Sequence, residues 1–186
     1  MIFNKHSELE GQHALLSASK HTWIKYDNKT LDDFIRSEQA KAKGTELHEF
    51  ASQAIKLGVK LRGTKQTLNA FVNDAIGYRM ESEQVLFYSY YCFGTADAIS
   101  FRNNKLMIFD LKTGLKIKAS MDQLKIYAAL FCLEYAHDPH DIDIELRIYQ
   151  FDEIRAEIGD PDEIEHIMDV IRNFDKRIEE LKREEP

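Results

Sequence analysis

The apolar positions change period along the chain. Between residues 30 and 60, Leu47, Phe50, Ala51, Ala54 and Ile55 recur at helical spacing, so this stretch reads as mainly helical. Gly44-Thr45 divides it into two pieces, with Thr45 suited to cap the second. Residues 14–24 (ALLSASKHTWI) read as a short helix begun at Ser17 or Ser19, and residues 65–79 as a further helix. The pattern then shifts. Residues 84–93 (QVLFYSYYCF) are rich in β-branched and aromatic types and predict a strand. Residues 95–102 and 105–111 predict two more, joined at Asn103-Asn104, a pair that tolerates the positive φ of a tight hairpin. A helix over 120–136, a strand over 143–151 and a helix over 161–184 complete the chain. In the last helix Ile164, Ile167, Ile171, Phe174, Ile178 and Leu181 form a stripe suited to core or partner packing. This order predicts an α/β sandwich with a mixed sheet flanked by helices.

The hairpin around Asn103-Asn104 carries a chemical consequence. An even-numbered loop there pairs Phe101 with Leu106, Ile99 with Ile108, and Asp97 with Asp110. Two carboxylates facing each other repel unless a cation lies between them, and hard oxygen ligands suit Mg²⁺ or Mn²⁺. Lys112 lies two residues beyond Asp110 and shares its face. A lysine there can orient a metal-bound water or stabilise charge on a phosphate. Gly94-Thr95-Ala96 before Asp97 leaves room for close approach to the backbone. Ile108, Phe109 and Leu111 make Asp110 a costly residue for a purely structural strand.

A length of 186 residues with 44% hydrophobic positions suits one domain, with a core over about 14–151 and an acidic amphipathic helix over about 161–184. No apolar run is long enough to span a bilayer, and the N-terminal segment is polar, so a cytoplasmic location is expected. Cys92 and Cys132 form no metal-binding spacing and read as buried, inert thiols. The net charge of −7 argues against a nucleic-acid partner until its distribution is considered. Residues 152–186 hold 13 Asp/Glu and 6 Lys/Arg, so the remainder is neutral. Residues 36–65 carry seven Lys/Arg against three Glu, and Lys112, Lys116, Lys118 and Lys125 surround Asp122 alone. These two basic stretches are able to attract phosphate.

Four segments occur in order: Gly44-Thr45-Glu46-Leu47-His48, Gly94-Thr95-Ala96-Asp97, Asp110-Leu111-Lys112-Thr113-Gly114 and Gln123-Leu124-Lys125-Ile126-Tyr127. Together they resemble the RecB-like branch of the PD-(D/E)XK nucleases, whose pattern is GxxxH, GxxD, D-x-K-T-G and QxxxY. Leu16-Ser17-Ala18-Ser19 followed by Trp23 is similar to that branch's opening helix. The resemblance spans residues 16–127 and implies a restriction-endonuclease-like core. It implies that His48, Asp97, Asp110 and the backbone carbonyl of Leu111 hold Mg²⁺ or Mn²⁺, and that Lys112 presents the attacking water. It implies that Gln123 and Tyr127, at i and i+4 on one helix face, brace the site or contact the DNA backbone. Some members of the branch use an acidic residue near the position of Glu83, here a subsidiary candidate. The histidines at 6, 13, 21, 137, 140 and 166 show no paired ligand spacing.

The activity implied is hydrolysis of DNA phosphodiester bonds, more readily as an exonuclease than an endonuclease, in recombination, repair or phage DNA processing. Only two cysteines are present, so the iron–sulfur cluster of several relatives is not expected, and no GxxxxGK[ST] loop supplies a motor. The alternatives are a non-catalytic DNA-binding or assembly module on the same fold, and a metal-dependent hydrolase of another phosphate ester. DNA is the expected partner, with a homo-oligomer or a protein bound through the C-terminal helix also compatible.

Overall fold

The computed structural model describes residues 14–114 and 118–184. Lys116, His6 and His13 lie outside the described residues. The chain forms two compact units, Met1–Ala42 and Lys43–Pro186.

In the first unit a 3-10 stretch, Ala18–Lys25, follows Ser17, whose carbonyl accepts the Trp23 indole N–H at 2.8 Å. Helix α1 (Asn28–Leu57) begins after Asp27, whose carboxylate takes the Thr30 N–H at 2.7 Å, an N-cap contact. Early in that helix Phe34 meets Tyr26 edge-on, with ring centroids 5.9 Å apart. The helix runs unbroken through Gly44-Thr45, so Thr45 is an interior residue and not a cap.

The second unit contains the rest of α1, then α2 (Thr67–Gly77), strands β1 (Glu81–Ser89), β2 (Cys92–Arg102) and β3 (Lys105–Leu111), helix α3 (Asp122–Tyr135), strands β4 (Asp143–Gln150) and β5 (Glu153–Ile158), and α4 (Pro161–Glu184). The sheet order is β1-β2-β3-β4-β5, and only β3 and β4 run parallel. That step needs a crossover, which α3 supplies. The fold is therefore the expected mixed sheet flanked by helices. The first strand is shorter than its composition suggests: Tyr90-Tyr91 turn the chain, and Cys92-Phe93 already belong to β2. Strand β5 has no counterpart in the sequence reading. It returns from β4 through Phe151 and Asp152, both at positive φ (58° and 56°); Asp tolerates that conformation, but Phe151 gives no sign of it.

Alternation along β3 sorts two cores. Leu106 and Ile108 join Leu124, Leu130, Ile164, Met168 and Ile171 on the α3/α4 side. Met107, Phe109 and Leu111 join Ala51, Ala54, Ile55, Phe71, Val72 and Tyr149 on the other. Strand β3 is thus covered on both faces and reads as an almost continuous apolar run, whereas β4 alternates Ile144, Leu146 and Ile148 with Glu145 and Arg147, which pair with each other. Phe50, placed in the helical stripe from its spacing, is 48% exposed; Ala51, Ala54 and Ile55 do the packing. Along α4, Ile164 and Ile171 are buried and Ile167 packs against the core, whereas Phe174 and Leu181 face solvent. The outer part of α4 meets the β1–β2 turn through polar contacts, Ser89 with Asp175 and Tyr91 with Lys182. Among the described residues no helix is long and apolar enough to cross a membrane. Both cysteines are free; burial pushes the Cys132 thiol up to about 11 and raises that of half-buried Cys92.

Candidate metal centre

The hairpin turns at Asn103 and Asn104, both in the left-handed region (φ 51° and 61°). Its register runs from Arg102↔Lys105 through Phe101↔Leu106 and Ile99↔Ile108 to Ala98↔Phe109. This is the register expected from the sequence. Asp97 and Asp110 come next, beyond the last of these pairs, but they do not simply face each other. Asp97 Oδ2 instead accepts the Leu111 N–H at 2.7 Å, which leaves Oδ1 available toward α1. There His48 Nδ1 lies 3.4 Å from Asp97 Oδ1.

Gly44 explains how α1 comes so close. A Cβ on this residue would sit 2.9 Å from Thr113 Oγ1, so glycine lets the helix press against the segment following β3 without displacing that side chain. His48 is one turn further along the same helix face. The glycine that reads as a helix break is therefore a packing contact that positions the histidine.

On the other side of β2, Ser82 pairs with Ala98 and Gln84 with Ala96, so Glu83 lies opposite Asp97. Glu83 has φ 53°, a conformation that costs a non-glycine residue on the order of 1–2 kcal/mol. Ligand atoms of His48, Glu83 and Asp97 all lie within 4.8 Å of one another. Glu83 is thus brought nearer the centre than its subsidiary place in the sequence reading suggests. Its signal is a local departure from alternation in β1, which no residue in the sequence announces.

Asp110 is 2% exposed. Lys112 Nζ lies 3.1 Å from each of its oxygens, but only the contact with Oδ1 has hydrogen-bond geometry. Oδ2 is buried and, beyond the ion-pair contact with Lys112, has no hydrogen-bond partner. A buried carboxylate oxygen in that state is costly unless something else satisfies it. Lys112 extends β3, donating its backbone N–H to Tyr149 O at 2.9 Å. Its ammonium also donates to Gln123 Oε1 at 2.8 Å, and Gln123 Nε2 donates to Tyr127 Oη at 2.9 Å. The helical pair Gln123 and Tyr127 therefore braces Lys112. Tyr127 in turn presents its ring edge to Gly94, where a Cβ would approach its Cε1 to 2.8 Å. Buried Gln150, which the sequence did not single out, ties the segment leading to α3. It accepts the Ala119 N–H and donates to the Gly114 carbonyl, each at 3.0 Å.

The electrostatics follow from crowding. The contact with Asp97 holds His48 above the ordinary imidazole value despite partial burial. Burial, and then the Asp97 charge, raise the Asp110 carboxyl; Lys112 offsets part of this. Desolvation and Asp97 likewise raise Glu83. Three groups are thus biased toward holding protons where two carboxylates and an imidazole meet. One divalent cation would remove that bias, and a set of carboxylate oxygens plus one imidazole suits Mg²⁺ or Mn²⁺. Asp110 Oδ2, which no hydrogen bond satisfies, fits the same group.

Of the residues singled out from sequence, His48 and Asp97 form one contact and Asp110, Lys112, Gln123 and Tyr127 a chain of contacts, the two joined by the Leu111 N–H; Asp110 stands outside the His48, Glu83 and Asp97 group whose ligand atoms lie within 4.8 Å of one another. Leu111 contributes its N–H to Asp97 and buries its side chain. A second acidic group, His140 with Asp162 and Glu165 of α4 at 3.6 and 3.5 Å, is exposed and reads as surface ion pairing.

Fold and site together define an α/β protein with a carboxylate–histidine centre at the end of its central hairpin, next to a braced lysine. The chain belongs to the family described as protein of unknown function (DUF2800), whose model matches residues 69–183. That span holds Glu83, Asp97, Asp110, Lys112, Gln123 and Tyr127, and begins after His48. Searches among curated proteins and among solved structures return no match.

Proposed function

We propose that this chain is a metal-dependent DNA nuclease of the PD-(D/E)XK type, RecB-like branch, and that it acts as an exonuclease in recombination, repair or phage DNA processing. The observation that carries the reading is the buried Oδ2 of Asp110, which no hydrogen bond satisfies, beside a lysine that two other residues hold in place. Asp97, Asp110 and His48, with Glu83 and the Leu111 carbonyl beside them, would hold Mg²⁺ or Mn²⁺. When bound, the ion neutralises the scissile phosphate and lowers the pKa of a coordinated water.

The remaining work falls to the chain's own groups. Asp97 is fixed by the Leu111 N–H, so its free oxygen keeps one direction. Lys112 carries its charge on an ammonium that Gln123 and Asp110 orient, and from there it stabilises negative charge on a phosphoryl oxygen or positions the attacking water. Because Tyr127 fixes the Gln123 amide, the oxygen of that amide, not its nitrogen, faces the lysine. DNA follows as substrate from the motif resemblance and from the basic residues of the 36–65 stretch.

The test is cleavage of end-labelled linear and closed circular DNA, single- and double-stranded, in Mn²⁺, Mg²⁺ or EDTA, by wild type, Asp110→Ala and Lys112→Ala. Metal-dependent cutting of linear DNA that both variants lose is the expected result. Binding of DNA without cutting under any condition would replace this reading with that of a non-catalytic module.

A further inference from the structure

One surface next to the metal centre is left unexplained by it. On β1 and β2, Leu86 and Ala96 are buried on the α3 side, and Gly94 lies against Tyr127 of α3. Alternation therefore turns Val85, Phe87, Phe93 and Thr95 to the opposite face. The register pairs Val85 with Thr95 and Phe87 with Phe93. None of these is covered: Val85 is 47% exposed, Phe87 38% and Phe93 61%. At the turn Tyr90 is 88% exposed, and its ring meets that of Phe87 at 5.5 Å, while Phe87 and Phe93 lie 6.4 Å apart and tilted by 31°. The strip leads toward the metal centre, because Glu83 and Asp97 follow two residues beyond Val85 and Thr95 on the same two strands, at the point where the alternation breaks and Ala96 and Ala98 are buried on opposite faces. Between them and the rings stand only Val85 and Thr95, which carry no charge.

Contiguous exposed aromatic surface of this kind marks a binding site. Phe93 and Asp97 are four residues apart, about 13 Å at roughly 3.3 Å per strand residue. A strand stacked at roughly 3.4 Å per nucleotide covers that distance in about four nucleotides. Lys56 of α1 is exposed, and its charge bears on that of Glu83 at the start of the strip. Aromatic rings flanked by a cation are what unpaired bases and their backbone need, whereas a duplex keeps its base faces to itself.

We propose that Phe87, Phe93 and Tyr90 form a stacking platform for single-stranded DNA, which leads an unpaired strand along the outer face of β1–β2 to the metal centre. The proposal rests on the nuclease reading for its direction, but its test does not depend on cleavage. A fluorescein-labelled 20-nucleotide single strand and the matching duplex are titrated with the full chain in EDTA, and anisotropy gives the affinities. The variants are Phe87→Ser/Phe93→Ser and, as the least disturbing change, Tyr90→Ser; circular dichroism confirms that they are folded. The expected result is single-strand binding that weakens by about tenfold or more in the double variant and by a smaller factor in Tyr90→Ser, with duplex binding changed less than twofold. Unchanged single-strand affinity in both variants overturns the platform, as does a wild-type chain that binds no single strand. Sedimentation supplies the other opposing outcome. A wild-type dimer that the double variant splits, with DNA binding intact, would make this face an interface between copies. Cleavage is scored separately with Mn²⁺. Cutting without ring-dependent binding sinks the platform alone, and ring-dependent binding without cutting sinks the nuclease reading alone.

Discussion

Replacing Gly94 with alanine tests how the centre is held. The new Cβ would stand 2.8 Å from Tyr127 Cε1 and 3.7 Å from Cδ1 and Cζ. Carbon atoms in contact rest at about 3.5–4.0 Å, so the ring has to withdraw by roughly 0.7–1.2 Å, or β2 has to bow by as much. Tyr127 is only 9% exposed and packs within the α3-side core, so neither movement is free. Overpacking of this kind costs about 1–3 kcal/mol. For a chain of this size that lowers Tm by roughly 2–12 °C. The same displacement pulls Tyr127 Oη from Gln123, now 2.9 Å away, beyond hydrogen-bond range and frees the amide that holds Lys112. Thermal and urea unfolding of Gly94→Ala, made in the wild-type chain and in a Tyr127→Leu background, measure the coupling. Removing the ring removes the clash, so in that background the alanine should cost less than about 0.5 kcal/mol. If Gly94→Ala is neutral in the wild-type chain, or equally costly in both backgrounds, the glycine is not a seat for Tyr127 and the argument fails.

Two further outcomes follow from the crowded carboxylates. His48, Glu83 and Asp110 all hold protons more tightly in the folded chain than their ordinary values of 6.5, 4.5 and 3.8 imply. Such groups contribute stability below those ordinary values and lose it as pH rises through the raised ones. In EDTA, Tm should therefore fall as pH rises above those ordinary values, and the increment given by Mn²⁺ should grow as it does, since the ion competes with those protons. A metal increment independent of pH would count against these residues as ligands. Asp110→Asn removes the buried charge while keeping the shape. In EDTA at neutral pH it should be more stable than wild type by roughly 1 kcal/mol, and it should lose the stabilisation by Mn²⁺. Scanning fluorimetry reads both, and a destabilised Asp110→Asn that still responds to Mn²⁺ would refute the assignment.

What the sequence makes legible is set by how local each cause is. The Asn103-Asn104 turn has both residues at positive φ, which asparagine tolerates, and one turn fixes the register of the whole hairpin. Lys112 reaches Asp110 by simple alternation, and Gln123 with Tyr127 by helical spacing. The failures come from causes that are not local. Gly44 looks like a break because its reason is Thr113, far along the chain. The turn before β5 is made by Phe151 and Asp152 at positive φ, and a phenylalanine gives no warning of it. Glu83 is drawn to the centre by a backbone kink visible only once β1 is paired with β2. The side-chain turn of Asp97 to the Leu111 N–H likewise depends on where the ladder ends.

The contact between Gly44 and Thr113 has a consequence for how such a sequence can change over time. The two positions share one space of fixed size, so neither drifts alone. Any side chain gained at 44 has to be matched by one shortened at 113, or α1 lifts and takes His48 with it. Substitutions at these sites should arrive as correlated pairs among descendants of this chain, even though one belongs to a helix and the other to the segment after a strand. A histidine lost from the centre would release the pair, and both positions would then be free to vary.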